Sequence, residues 1–150
     1  MQLSVGLLLM VLLVASLEGT PMRRRLDQFS KMISHETGRS SLDYSSYGNW
    51  CGLGGSGDPV DPTDTCCKIH DRCYYNANRA ECSAWVKTKP YLNKYQWELG
   101  AGGIVCLDTP ATSCMRVVCE CDKAAAECFG RHVATYSKTN QGLLSSLFGK

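Results

Sequence analysis

The 150-residue chain lacks several features that would place it in other protein classes. It has no apolar run long enough to cross a bilayer. Residues 5–14, reading VGLLLMVLLV, fall short of the roughly 20 residues a spanning helix needs. It has no strong charge excess. A formal charge of +2 leaves no electrostatic footprint for nucleic acid and argues against binding driven only by anionic surfaces. It has no internal repeat and no second domain. Long acidic or repetitive segments, which a structural matrix protein would carry, are also missing.

What is present at the N-terminus looks like processing signal rather than fold. The apolar run ends at Val14 and Ser16 stands two residues on, both small enough for a signal-peptidase site, so residues 1–16 are expected to be a signal peptide cut after Ser16. That makes the protein secreted and extracellular. Residues 17–24 read as a pro-segment, because Arg23-Arg24-Arg25 stands directly before an amphipathic pattern. The domain is expected to be 25–150, with a short C-terminal tail. Ten cysteines lie between Cys51 and Cys128. An even, dense set behind a signal peptide implies a disulfide framework in an oxidising compartment. Five bridges allow about 945 pairings, so the count alone selects none.

Periodicity predicts a mainly helical, disulfide-rich fold. Leu26, Phe29, Met32 and Ile33 form the apolar stripe of an N-terminal amphipathic helix, stopped by Gly38. Residues 44–57 read as a loop. Asp61-Pro62-Thr63-Asp64 is a helix start: an Asp cap, Pro at the first position and an acid in the first turn. That helix is expected to run to about Asn78. Alternation at Tyr95, Trp97 and Leu99, then glycines, then Ile104 to Leu107, predicts a small β-hairpin wing. A second long helix fits residues 112–132, capped by Thr112 or Ser113.

Spacing places the two long helices together. Cys66 and Cys73 are seven apart, as are Cys121 and Cys128, so each pair shares one helix face. Among the possible pairings, Cys66 to Cys128 and Cys73 to Cys121 would clamp the helices antiparallel. His70 then faces Asp122, and a His held by an Asp is an oriented general base. With the cysteines committed to bridges and no serine nucleophile obvious, the nucleophile left is water. A structural hydrogen bond is the competing reading of that pair. Asp71 projects about 100 degrees round from His70, toward residues 47–57, of which five of eleven are glycine. Such a backbone can present bare carbonyls, and carbonyls plus one carboxylate suit Ca2+. The acid spacing of an EF-hand is not present.

These residues carry a resemblance. Tyr47-Gly48 and Cys51-Gly52-Leu53-Gly54-Gly55-Ser56-Gly57, followed by Asp64-Thr65-Cys66-Cys67-Lys68-Ile69-His70-Asp71-Arg72-Cys73-Tyr74, resemble the calcium loop and active-site helix of secreted calcium-dependent phospholipases A2. Cys119-Glu120-Cys121-Asp122, running on to Cys128-Phe129, is similar to that family's second long helix, and Leu26, Gln28, Phe29, Met32 and Ile33 to its N-terminal helix. The resemblance covers about residues 25–132. It implies hydrolysis of the sn-2 acyl ester of glycerophospholipids to lysophospholipid and fatty acid. His70 would be the base and Asp122 its orienting partner, with Tyr74 and Tyr95 fixing Asp122. Ca2+ would be held by the Asp71 carboxylate and the carbonyls of Trp50, Gly52 and Gly54, and the Gly52 N–H would join Ca2+ at the oxyanion. Tyr91 would touch the substrate phosphate. The implied bridges are Cys51–Cys67, Cys66–Cys128, Cys73–Cys121, Cys82–Cys114 and Cys106–Cys119.

Two departures bear on stability. Asn49 stands where many members have a Cys bridged to the C-terminal tail, and the residues after Cys128 contain no Cys. A bridge tying the N-terminal helix region to the segment before the hairpin is also absent. The expected partner is a phospholipid bilayer or micelle surface, met peripherally by a monomer, with Leu26, Trp50 and Leu53 as docking candidates beside a slot lined by Phe29 and Ile33. Trp85 and Trp97 read as packing residues. A non-catalytic binding protein on the same scaffold is the alternative; retention of both His70 and Asp71 speaks against it.

Overall fold

The computed structural model describes residues 21–52, 54–83 and 94–142. The expected signal segment, residues 17–20, Leu53, Trp85, Tyr91 and residues 143–150 lie outside the described residues, as do the side chains of residues 21–26, Leu26 among them.

Three helices make the body: α1 Pro21–Thr37, α2 Pro62–Arg79 and α3 Cys114–Arg131. Helix α1 begins at Pro21, ahead of the apolar stripe. A proline at a helix start has no amide to satisfy, and arginine is a good helix former, so the helix runs through the basic triplet. It stops at Gly38, whose φ of 66° closes the last turn through its N–H to the Ser34 carbonyl. Helix α2 starts where its sequence signals it: the Asp61 side chain accepts from the Asp64 N–H, with Pro62 next. Ser113 caps α3 through the Arg116 N–H. Strands β1 Trp97–Gly100 and β2 Gly103–Cys106 form the hairpin, antiparallel, with Trp97 opposite Cys106 and Gly100 opposite Gly103.

The core lies where α1 and α2 pack on α3. It is built from Met32 and Ile33 of α1, Tyr74 and Ala77 of α2, and Val118, Ala125, Ala126 and Phe129 of α3, all buried. Five disulfides reinforce it, and they are the five pairs the resemblance implies. Cys66–Cys128 and Cys73–Cys121 clamp α2 antiparallel to α3, each with Cα atoms 5.8 Å apart. Bridges closing loops of tens of residues contribute on the order of 3–4 kcal/mol each. Cys106–Cys119 ties the wing to α3 and Cys51–Cys67 ties the glycine-rich loop to α2.

Beyond α3 the chain returns over the loop. Tyr136 lies against Tyr44 and Tyr47, with ring centroids 5.4 and 4.9 Å away, and Tyr44 stacks on Phe129 at 4.5 Å. The Arg39 guanidinium sits 3.8 Å from the Tyr136 ring and pairs with Asp43 at 3.0 Å.

Candidate active site

The clamp brings one face of α2 against one face of α3, and His70 and Asp122 meet across it. His70 Nε2 lies 2.8 Å from Asp122 Oδ1. An ionised carboxylate only accepts, so Nε2 carries the proton and Nδ1 keeps a lone pair. Asp122 is fully buried and takes two further donors. The Tyr74 hydroxyl donates to Oδ1 at 2.5 Å and the Tyr95 hydroxyl to Oδ2 at 2.6 Å. Three donors offset the cost of burying a carboxylate; hydrogen bonds to a charged group are worth about 1.5–3 kcal/mol each. The ring of Phe29 stacks on His70 with centroids 4.7 Å apart and planes 22° apart, which brings α1 to the site. Gln28 completes that link by donating to the Tyr95 carbonyl at 2.6 Å.

Asp71 is half-buried. Among the described residues its carboxylate makes no hydrogen bond and no ion pair. Burial pushes its carboxyl above the ordinary value, and the neighbouring His70 pulls it back only in part. A partly desolvated carboxylate without a protein partner has the chemistry to take a hard cation. The loop supplies matching acceptors: no described backbone hydrogen bond uses the carbonyls of Trp50, Gly52 or Gly54. Gly52 has φ 120°, and a Cβ there would come 3.0 Å from the Ser45 carbonyl, so the turn needs glycine. Hard oxygen donors fit Ca2+. Cys66, Cys128 and His132 also present ligand atoms within 4.8 Å of one another, but both sulfurs are committed to a disulfide.

Asp64, read in the sequence only as a first-turn acid, turns out to organise the loop. It is fully buried at the start of α2 and accepts from the N–H groups of Asn49 (2.9 Å), Trp50 (2.8 Å) and Val60 (3.0 Å). Gly48 sits on top of it with φ 60°, where a Cβ would lie 2.3 Å from Asp64 Cγ. Asn49 closes the loop on itself: its amide donates to the Asp58 carbonyl at 2.8 Å and its carbonyl accepts from Ser56 N–H at 3.2 Å. Its side chain thus has a hydrogen-bonding role within the loop. Trp50 is half-buried, its indole N–H on the Gly57 carbonyl at 3.0 Å and Lys68 Nζ 5.0 Å from its ring.

His70, Asp122, Tyr74 and Tyr95 are therefore one hydrogen-bonded unit, and Asp71 and the loop lie at the same helix, joined to it by Cys51–Cys67 and Asp64. The phospholipase A2 family model matches residues 26–141. The chain belongs to the phospholipase A2 family. Among curated phospholipases A2, it is 43% identical over 132 residues to the human group IIE secretory enzyme, covering 88% of this chain and 84% of that one. It is 47% identical over 114 residues to an acidic phospholipase A2 of Vipera renardi, covering 75% and 76%. It is 45% identical to the mouse group IIC secretory enzyme, covering 74% and 72%. The mainly helical, five-bridge architecture with its two-stranded wing is the phospholipase A2 fold, and the chain is a phospholipase A2, a carboxylic ester hydrolase. No described helix is long and apolar enough to cross a membrane.

Proposed function

We propose that the protein is secreted and cleaves the sn-2 acyl ester of glycerophospholipids at a lipid surface, using His70 as base. The observation that carries this is the buried Asp122 carboxylate, held by Tyr74 and Tyr95 and accepting from His70 Nε2. His70 Nδ1 takes a proton from water as the water attacks the ester carbonyl. Asp122 holds the ring orientation and stabilises the imidazolium that forms. His70 then returns the proton to the leaving glycerol oxygen, giving lysophospholipid and free fatty acid. Asp71 and the carbonyls of Trp50, Gly52 and Gly54 would hold Ca2+, with the Gly52 N–H donating to the developing oxyanion. Bound Ca2+ supplies Lewis-acid polarisation of the ester and charge stabilisation. Phe29, on the His70 ring, walls one side of the slot and excludes bulk water.

Residues 1–16 act as signal peptide and residues 17–24 as pro-segment in this reading, with the domain at 25–150 working as a monomer. The test is fatty-acid release from phospholipid vesicles labelled separately in the sn-1 and sn-2 chains. Release of the sn-2 label alone, abolished by chelation and restored by Ca2+, is expected. Equal activity in excess chelator after removal of bound metal overturns the metal assignment.

A further inference from the structure

We propose that Asn140, on the segment that returns after α3, is a positioning residue for the glycine-rich loop. The inference rests on the calcium reading of that loop. It begins with two contacts. The Asn140 carbonyl accepts from the Gly48 N–H at 2.7 Å, and the Asn140 amide donates to Asp61 Oδ2 at 2.9 Å. The same amide nitrogen lies 3.3 Å from the Tyr47 hydroxyl, which itself donates to Asp61 Oδ2 and accepts from the Ser137 N–H at 3.0 Å. Asp61 uses its other oxygen to cap α2, accepting from the Asp64 N–H at 2.8 Å. Asp64 in turn holds the N–H groups of Asn49 and Trp50. One continuous polar path therefore runs from the returning segment to the backbone just before the carbonyls that would hold the cation.

The path is held at several further points. Gln141 pairs with Tyr47 in an isolated bridge, Gln141 Nε2 and the Tyr136 hydroxyl both donate to the Asp43 carbonyl at 3.1 Å, and the Gly142 N–H donates to the Ser46 carbonyl at 2.6 Å. Among the described residues no disulfide joins this segment to the loop. Its hold is hydrogen bonding over a bed of stacked tyrosines. The loop has glycines at positive φ at positions 48, 52 and 54, closes on itself through Asn49 and Trp50, and is pinned to α2 at Cys51–Cys67. The Asn140–Asp61–Asp64 path adds a hold on its entry residues, Gly48 to Trp50, which those contacts leave to the neighbouring segments.

Asn140→Leu keeps the side-chain volume and removes its donors; Tyr47→Phe removes the shared hydroxyl. Hydrogen exchange of the metal-free, full-length protein is the first readout. Faster exchange over residues 48–52 in both variants, with α3 unchanged, is expected. Calcium titration is the second, with at least about a tenfold weaker Kd and, at saturating calcium, vesicle hydrolysis back near wild type. The double variant should be no weaker than the worse single, since both act on one path. A lower melting temperature with loop exchange and calcium Kd unchanged overturns the proposal, because that is the signature of a merely structural contact. Faster loop exchange in a protein whose wild type binds no calcium supports the strap and overturns the calcium reading instead.

Discussion

Tyr95 and Asp122 lie 27 positions apart in the chain, yet the Tyr95 hydroxyl sits 2.6 Å from Asp122 Oδ2, buried on both sides. With Tyr74 on the other oxygen, two hydroxyls hold the carboxylate that His70 also contacts. Tyr95→Phe and Tyr74→Phe should each lower the melting temperature and reduce turnover only modestly, because two donors remain. Removing both should cost more than the sum, since the last donor left is the base itself. Strict additivity in a double-mutant cycle on stability would show that the hydroxyls act independently.

His70→Gln should fold, bind calcium and lose turnover by about 10²–10⁴-fold, the typical contribution of a positioned base. Glutamine fills similar space but cannot take the proton from water. Asp122→Asn should hurt less, because it spoils orientation and leaves the base in place. Circular dichroism and calcium titration serve as controls. A folded His70→Gln protein retaining more than about a tenth of normal turnover, under about 1.4 kcal/mol of barrier, rules out the water-activation step.

Asp71→Asn should stabilise the metal-free protein at pH 7. Burial raises the Asp71 carboxyl above its ordinary 3.8, so its ionised form costs folding free energy above the raised value. Below 3.8 the carboxyl is protonated in both folded and unfolded states, and the difference between variant and wild type should vanish there. The variant should also gain no melting temperature from calcium, whereas wild type does. Thermal melts at several pH values, with chelator and with calcium, check both halves; a variant less stable than wild type at pH 7 in chelator contradicts the argument.

Gly48→Ala should destabilise by at least about 1–2 kcal/mol, the cost of a left-handed backbone for a residue with a Cβ. Here φ is 60° and the new methyl would enter the Asp64 carboxylate, so the Asn49 and Trp50 hydrogen bonds should loosen as well. Urea unfolding measures the first effect and calcium affinity the second. Unchanged values of both would mean the loop tolerates a shift that these distances forbid.

The mature N-terminus should be Arg25 or Leu26. The basic triplet lies in the first turns of α1, where helix ends fray open to proteases. N-terminal sequencing of secreted protein reads the site directly. Leu17 as first residue, with full activity on vesicles, would reduce the triplet to a charged extension of the helix.

Much of the molecule was legible locally. Asp61 and Pro62 announce α2, Ser113 caps α3, and Gly38 ends α1, because caps and stops are written within a turn of where they act. The seven-residue cysteine spacings made an antiparallel clamp legible as one pairing among several, since two turns of one helix can match two turns of another, and the register the fold adopts delivers His70 to Asp122. The start of α1 was less legible: the apolar stripe begins at Leu26, but a helix needs no apolar face to extend by little more than a turn through arginines. What only the tertiary structure decided is how the loop is held. Asp64, Asp61, Tyr47 and Asn140 are spread over 93 positions, and nothing periodic links them. Their alliance depends on a chain reversal after α3 that brings Asn140 against Gly48, a long-range approach that neither spacing nor propensity encodes. The residue types of the site were legible as local motifs; how the glycine-rich loop is held follows from residues that meet only once the chain has closed.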